Sequence, residues 1–304
     1  MRARALLQLV RLPNLFTAAA DPLAGWLLVG GALARPEGWV PLAASGVATY
    51  AAGMALNDVF DYRVDLVERP MRPLPSGRVP RGFAAALGFA LLALGPCLAA
   101  LGGTTALAVS LALTACVLGY DAGLKRTPLG PEVMGSCRSL NLLLGMSAAP
   151  ALGGPAGWLA AGAFGLFVVG VTWISRDEAE AEAVGGTSRR VLAGMLLHDL
   201  ALVGLLAAAL GVFPFPGRLA TRPIVPPEGL LVLLLTAWVV NLADARALRD
   251  PSPATLQAAV KTGVLSLVWL DVGLVASARG PGPALAVAAL WVPAFLLGKW
   301  LYST

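Results

Sequence analysis

The chain has 304 residues, of which 58% are hydrophobic and only 13% charged, and its mean hydropathy is +0.77, far more apolar than a soluble domain of this length needs. The net charge is +5 at pH 7, and its basic residues collect in loops between apolar runs. That charge reports membrane topology and anionic lipid headgroups, and it excludes a nucleic-acid binder.

A membrane span needs about 20 mostly apolar residues. Runs of that kind fall at 15–33, 39–59, 83–101, 106–120, 133–152, 158–174, 191–213, 230–243, 257–276 and 284–301. The reading is an all-α, polytopic membrane bundle of nine or ten spans, with no break that suggests a soluble domain. Arg11, Pro13 and Asn14 interrupt the apolar region that a cleaved signal peptide would need, so residues 1–13 read as a short interfacial helix. Seventeen of the 22 Lys and Arg residues fall on one set of loops and ends, against four (Arg35, Arg218, Arg222 and Arg279) on the other, with Arg138 inside a span. The basic face should be cytoplasmic, in the inner membrane. Cys97, Cys116 and Cys137 carry neither metal spacing nor a disulfide pattern.

The polar residues concentrate on the basic face. The end of the second run reads Asn57-Asp58-Val59-Phe60-Asp61-Tyr62-Arg63-Val64-Asp65. On a helix, Asn57, Asp61 and Asp65 recur every four residues and form one stripe. Together with Asp58 they offer oxygen ligands for magnesium, which takes a few carboxylates plus water and substrate phosphate oxygens. A solvated helix end explains one or two charges, but poorly an Asn and three Asp within nine residues. Four spans later, Asp177-Glu178-Ala179-Glu180-Ala181-Glu182 precedes Gly185-Gly186 on the same membrane face. Glu178 and Glu182 share a helical face flanked by Asp177, while Asp177 with Glu180 is the other register. Alone, this run would read as a solvated acidic loop. Among intramembrane groups, His198 has no metal partner by spacing and reads as structural. Asp21, Asp199, Asp244 and Asp271 are either functional or helix-bonding.

Asn-Asp-x-x-Asp-x-x-x-Asp at 57–65, followed by Arg69, Arg72, Pro73, Leu74, Pro75, Ser76 and Gly77, resembles the first signature of the UbiA superfamily of intramembrane prenyltransferases. Tyr120 with Lys125-Arg126 resembles the tyrosine and lysine that follow the fourth span there, and Arg138 and Asn141 fall where the fifth span often carries polar residues. The second signature departs from the usual Asp-x-x-x-Asp, with Glu178 and Glu182 as the best fit. That departure, with Arg11-Leu12-Pro13-Asn14 and 17–21, is similar to the EboC-like branch.

The resemblance implies nine core helices around a central cavity open to the cytoplasmic face, as one domain over 1–304, with 284–301 left over as a tenth helix. It implies two Mg2+ ions, one on Asn57, Asp58, Asp61 and Asp65 and one on Asp177, Glu178 and Glu182. These would hold a prenyl diphosphate, with Arg72 and Lys125 offsetting its charge and Asp61 and Asp65 in the catalytic set. Arg69, Tyr120, Arg138, Asn141 and Asp21 would line the substrates. The acceptor would be lipid-soluble or polar, with an aromatic or cyclic polar one preferred. The competing reading is a ten-helix transporter of a phosphorylated or cationic solute, whose site would sit near the midplane.

The basic asymmetry makes a direct prediction. A cysteine at position 78 (Arg78→Cys) should react with an impermeant thiol reagent only from the cytoplasmic side, and one at position 218 (Arg218→Cys) only from the opposite side. Labelling of position 78 from outside would reverse the orientation.

Overall fold

In lipid every backbone N–H and C=O must find a partner within the protein, and each apolar run does so by becoming a helix. The computed structural model describes residues 3–180, 188–216 and 226–302. Its helices are α1 (Ala3–Leu9), α2 (Leu12–Leu28), α3 (Pro36–Phe60), α4 (Tyr62–Glu68), α5 (Arg81–Ala100), α6 (Thr104–Ala122), α7 (Gly130–Met146), α8 (Gly154–Glu180), α9 (Ser188–Leu210), α10 (Pro227–Arg249), α11 (Pro253–Arg279), α12 (Pro281–Ala289) and α13 (Trp291–Tyr302), and no strand occurs among the described residues. Among those residues, eight helical stretches are long and apolar enough to cross a membrane: α3, α5, α6, α8, α9, α10, α11, and α12 with α13 taken together. The first and fifth apolar runs become α2 and α7, which are shorter at 17 residues each. The tenth run is divided at Leu290 into α12 and α13.

The long helices α2, α3, α5, α6, α7, α8, α9, α10 and α11 pack as neighbours in chain order, and α11 returns to α2 to close the bundle. The main core lies between α2, α7, α8 and α11, around Leu27, Leu142, Phe164, Phe167 and Leu270. The outer helices expose Phe89, Leu94, Leu111, Leu200, Val203, Leu234 and Trp238. On a soluble protein such a surface would demand a partner, whereas here it faces acyl chains.

Pro22 lies inside α2 and has no N–H to give the carbonyl one turn back. Asn141 on α7 supplies the missing donor, Nδ2 to the Ala18 carbonyl at 2.8 Å, and Arg138 donates Nη2 to the Thr17 carbonyl at 2.8 Å. Asp21 completes the knot, with Arg138 Nε at 2.7 Å and Asn141 Nδ2 at 2.8 Å, and the Asp271 side chain on α11 meets Asp21. These polar residues join three helices at a proline break. A second polar knot joins α9 and α10: His198 Nδ1 lies 2.7 Å from Asp244 Oδ2, its ring stacks on Phe167 at 4.4 Å, and Asn241 donates to Asp199 at 2.8 Å.

α2 and α7 cross so closely that only glycine fits. A Cβ on Gly25 would stand 2.3 Å from the Leu142 carbonyl oxygen, and one on Gly145 2.0 Å from the Pro22 carbonyl oxygen. Neither neighbour is a flexible side-chain end, so the helices would have to separate. Gly145→Val should therefore lower thermal stability in detergent by about 1–3 kcal/mol or more. Gly162→Ala, whose added Cβ meets open space, should not. Equal melting of the two variants would show that the α2–α7 crossing is looser than described.

Candidate active site

α3 ends at Phe60, and the chain bends at Asp61 (φ −87°, ψ 4°) before α4 begins. The bend splits the expected single stripe of Asn57, Asp61 and Asp65. Asn57 and Asp61 face a cavity, whereas Asp65 turns inward and is fully buried. Arg72, from the loop after α4, clamps the inward group: its Nη1 lies 2.8 Å from Asp65 Oδ2 and 3.3 Å from Asp58 Oδ1, and Arg69 adds a looser contact to Asp65 at 3.7 Å. The outward group is met by Lys125, from the short turn Leu124–Arg126 after α6. Its Nζ lies 2.6 Å from Asp61 Oδ2 and 2.9 Å from Asn57 Oδ1, and Arg126 approaches Asp61 Oδ1 at 3.2 Å. Arg176 on α8 fixes that turn by donating to the carbonyls of Lys125 (2.9 Å) and Thr127 (2.6 Å).

The cavity has a volume of about 870 Å³ and lies at the basic end of the bundle. Asn57, Asp61, Glu68, Arg69, Arg72, Lys125 and Arg176 form its polar mouth. Tyr50, Met54, Val117, Met134 and Cys137 form a mostly apolar interior, and the cavity as a whole, mouth included, runs about 16 Å along the chain from Asp61 back to Tyr50 at 1.5 Å per residue. Five basic and three acidic side chains line it, so its balance favours an anionic occupant.

Of the residues singled out in the sequence, the cavity gathers Asn57, Asp61, Arg69, Arg72, Tyr120 and Lys125. Asp58 and Asp65 are committed to Arg72 behind its wall. Asp21, Arg138 and Asn141 are not on its wall but in the knot around Pro22. Asp177 and Glu178 stand near the end of α8, beyond the described side chains, and Glu182 lies outside the described residues. Among the described residues no three Asp, Glu, His or Cys side chains converge as a complete metal cage.

Asp121 and Arg11 line the cavity although the sequence reading gave neither a role in the site. Asp121 sits beside Tyr120 and four residues before Lys125, a spacing that could have drawn attention to it. Arg11 sits between α1 and α2 in the left-handed region at φ 50°, a conformation that costs a non-glycine residue roughly 1–2 kcal/mol. Its guanidinium lines the cavity, makes no hydrogen bond or ion pair among the described residues, and lies within electrostatic reach of Asp58 and Asp121.

The sequence matches the UbiA prenyltransferase family over residues 22–260. The chain belongs to that family. It is 31% identical over 271 residues to the digeranylgeranylglyceryl phosphate synthase of Methanopyrus kandleri, covering 86% of this chain and 96% of the relative. A UbiA homolog from Aeropyrum pernix shares the fold at a TM-score of 0.66 and 23% identity, covering 86% of this chain and 96% of the other. A UbiA homolog from Archaeoglobus fulgidus, bound to GPP and Mg2+, does so at 0.59 and 16% identity, covering 89% and 99%. The chain is thus an integral-membrane prenyltransferase, and the transporter reading is set aside. Within this UbiA-family chain, the mouth of the cavity falls inside the matched residues, whereas Arg11 and α12–α13 fall outside them.

The clamp at Arg72 makes a prediction. Arg72→Ala leaves Asp58 and Asp65 buried with little compensation, and removing one partner of a buried pair costs about 3–5 kcal/mol. Adding Asp65→Asn to Arg72→Ala should recover part of that loss in thermal unfolding. A single variant as stable as the parent would show that the clamp is not structural.

Proposed function

We propose that the chain transfers an isoprenoid from a prenyl diphosphate to the free hydroxyl of a glyceryl phosphate that already carries one ether-linked isoprenoid. The observation that carries this reading is the gradient of the cavity: a cationic mouth leads into an apolar interior long enough for an isoprenoid tail. The basic excess is greater than one metal-neutralised diphosphate needs, and it suits a second phosphate on the acceptor. The Methanopyrus relative, named for making digeranylgeranylglyceryl phosphate, supports the same acceptor class. A glyceryl phosphate therefore replaces the aromatic or cyclic polar acceptor expected from the sequence.

Magnesium fits the mouth. Asn57 Oδ1 and the Asp61 carboxylate are hard oxygen donors side by side, now neutralised by Lys125. Magnesium takes few protein ligands when phosphate oxygens supply the rest, so a complete protein cage is not required. Bound there, the ion would offset the charge that develops on the leaving diphosphate. Asp177, Glu178 and Glu182 are the proposed ligands of a second ion. Lys125 and Arg72 would hold the diphosphate, the first as a point charge and the second as a fork. Arg69 and Tyr120 would border the donor, and Arg11 would meet the acceptor phosphate. The apolar walls keep water from the allylic carbon while the C–O bond breaks. The mouth is proposed to face the cytoplasm, following the basic asymmetry.

The test is a product assay in lipid vesicles. Purified protein, magnesium, prenyl diphosphates of graded length and either a prenylglyceryl phosphate or a hydroxybenzoate are incubated, and the lipids are read by mass spectrometry. Ether product should appear with the glyceryl phosphate alone, and chelation of magnesium should abolish it. Product with the aromatic acceptor alone would overturn the acceptor assignment, and no product from any donor would overturn the reading as a whole. Asp61→Ala should fold normally and lose over a hundredfold in rate, about 3 kcal/mol of transition-state stabilisation.

A further inference from the structure

Asp121 is the least expected group in the cavity. Its side chain is 5% exposed, yet it lines the cavity wall. Its Oδ2 is enclosed and has no hydrogen-bond partner, which leaves Oδ1 as the oxygen that can face the cavity. A buried carboxylate without a partner is costly to keep. The neighbouring aspartates are engaged: Asp58 and Asp65 by Arg72, and Asp61 by Lys125 and Arg126. Nothing in the packing explains why this one is not.

Its depth suggests an answer. Gly53 stands across from it on α3, and a Cβ there would meet Val117 Cγ1 at 2.9 Å and lie 3.9 Å from Asp121 Oδ2. Gly53 is four residues before Asn57, so Asp121 lies one helical turn, about 6 Å, inside the Asn57–Asp61–Lys125 mouth. A diphosphate held at the mouth places its allylic carbon at about that depth, where the polar rim gives way to Met54 and Val117. The missing side chain at Gly53 lets α3 pack closely against Val117 beside Asp121, and the reacting atoms would approach Asp121 from the cavity side.

We propose that Asp121 is the general base that takes the proton of the acceptor hydroxyl. The inference rests on the hydroxyl acceptor proposed above. The allylic C–O bond breaks and its electron pair leaves with the diphosphate. A lone pair of the acceptor oxygen forms the new C–O ether bond. The O–H bond then gives its electron pair to oxygen and its proton to the Asp121 carboxylate, and the resulting carboxylic acid passes that proton to water. A base in hydrogen-bond reach of the hydroxyl contributes typically about 10²–10⁴-fold.

The experiment compares two acceptors with the parent protein and Asp121→Asn. One is the prenylglyceryl phosphate with its hydroxyl, and the other is the same molecule with a thiol, which ionises without help. Asp121→Asn should lose about a hundredfold or more in ether formation and stay within a few-fold of the parent in thioether formation. Scrambling of ¹⁸O from the bridge of the donor to its non-bridging positions, which reports C–O cleavage alone, should also survive. The donor KM should not change. The variant should melt no lower than the parent, because it removes an unpartnered buried charge. Should the Asn variant fail to fold, Asp121→Glu, which moves the base by one methylene, must show the same split between hydroxyl and thiol. Loss of thioether formation and scrambling as well would assign the carboxylate to ionisation or to the metal and overturn the proposal. So would an unimpaired ether rate. A parent that makes no ether from the glyceryl phosphate would instead fail the functional reading on which this one rests.

Discussion

The site depends on how the aspartates at the end of one membrane helix are neutralised. Asp58, Asp61 and Asp65 put three negative charges within eight residues. Arg72 and Lys125 divide them by origin. Arg72 arrives locally from the loop after α4 and takes the two carboxylates that face inward. Lys125 arrives from the far side of α6 and takes the outward one together with Asn57. The local pair folds the loop, and the distant pair ties α3 to the α6–α7 connection. On the proposed function, Asn57 and Asp61 would hold a magnesium ion and Lys125 the diphosphate, and the contact of Lys125 with Asp61 keeps the carboxylate neutralised at the mouth.

The rest of the bundle is built so that this polar end can exist in a lipid solvent. Apolar burial contributes little between helices there, because lipid tails are as apolar as leucine. Close backbone approach and interhelical hydrogen bonds take its place. The α2–α7 crossing uses both, with glycines at the contact and Asn141 and Arg138 supplying donors to the carbonyls near Pro22. The His198–Asp244 pair does similar work between α9 and α10. These groups are polar and intramembrane, yet they hold helices together and are not on the cavity wall.

That distinction sets what was legible in the sequence. The apolar runs could be read because hydropathy over 20 residues needs no knowledge of neighbours: nine appear as single helices with ends within about six residues of those expected, and the tenth is divided into α12 and α13. The run from Asn57 to Arg72 could be read because its residue types at that spacing have few other uses. The split of the stripe could not. Neither glycine nor proline marks Asp61, and the inward turn of Asp65 follows from Arg72 folding back over it. Arg138 and Asn141 were read toward substrate because an ionisable group in a span is a functional candidate by default. Their true partners lie 120 residues earlier, beside a proline whose missing donor only the assembled bundle reveals. Asp121 was passed over for the opposite reason: its spacing from Tyr120 and Lys125 was the one available signal, and its interest lies in the partners it lacks.

The position of Arg11 shows how remote packing reaches the cavity. Its left-handed backbone persists only if its surroundings demand it. α1 supplies the demand by burying Ala5 and Leu9 in a small cluster with Ala55, Val59, Leu74, Val79 and Ala84. The chain must then reverse within two residues to start α2 beside α3, and the Asn14 N–H bonds the Arg11 carbonyl at 2.8 Å as it does so. The same cluster holds the loop that carries Arg72, because Leu74 and Val79 belong to it and Arg78 reaches Gln8 on α1 at 2.9 Å. One minor core, made by a seven-residue helix and the loop behind the signature, therefore sets both the inward clamp and the unengaged guanidinium at the mouth. Arg72 and Lys125 each meet a carboxylate as well as the cavity, while the turn at Arg11 holds a third cation over the cavity with no hydrogen bond or ion pair to its guanidinium among the described residues.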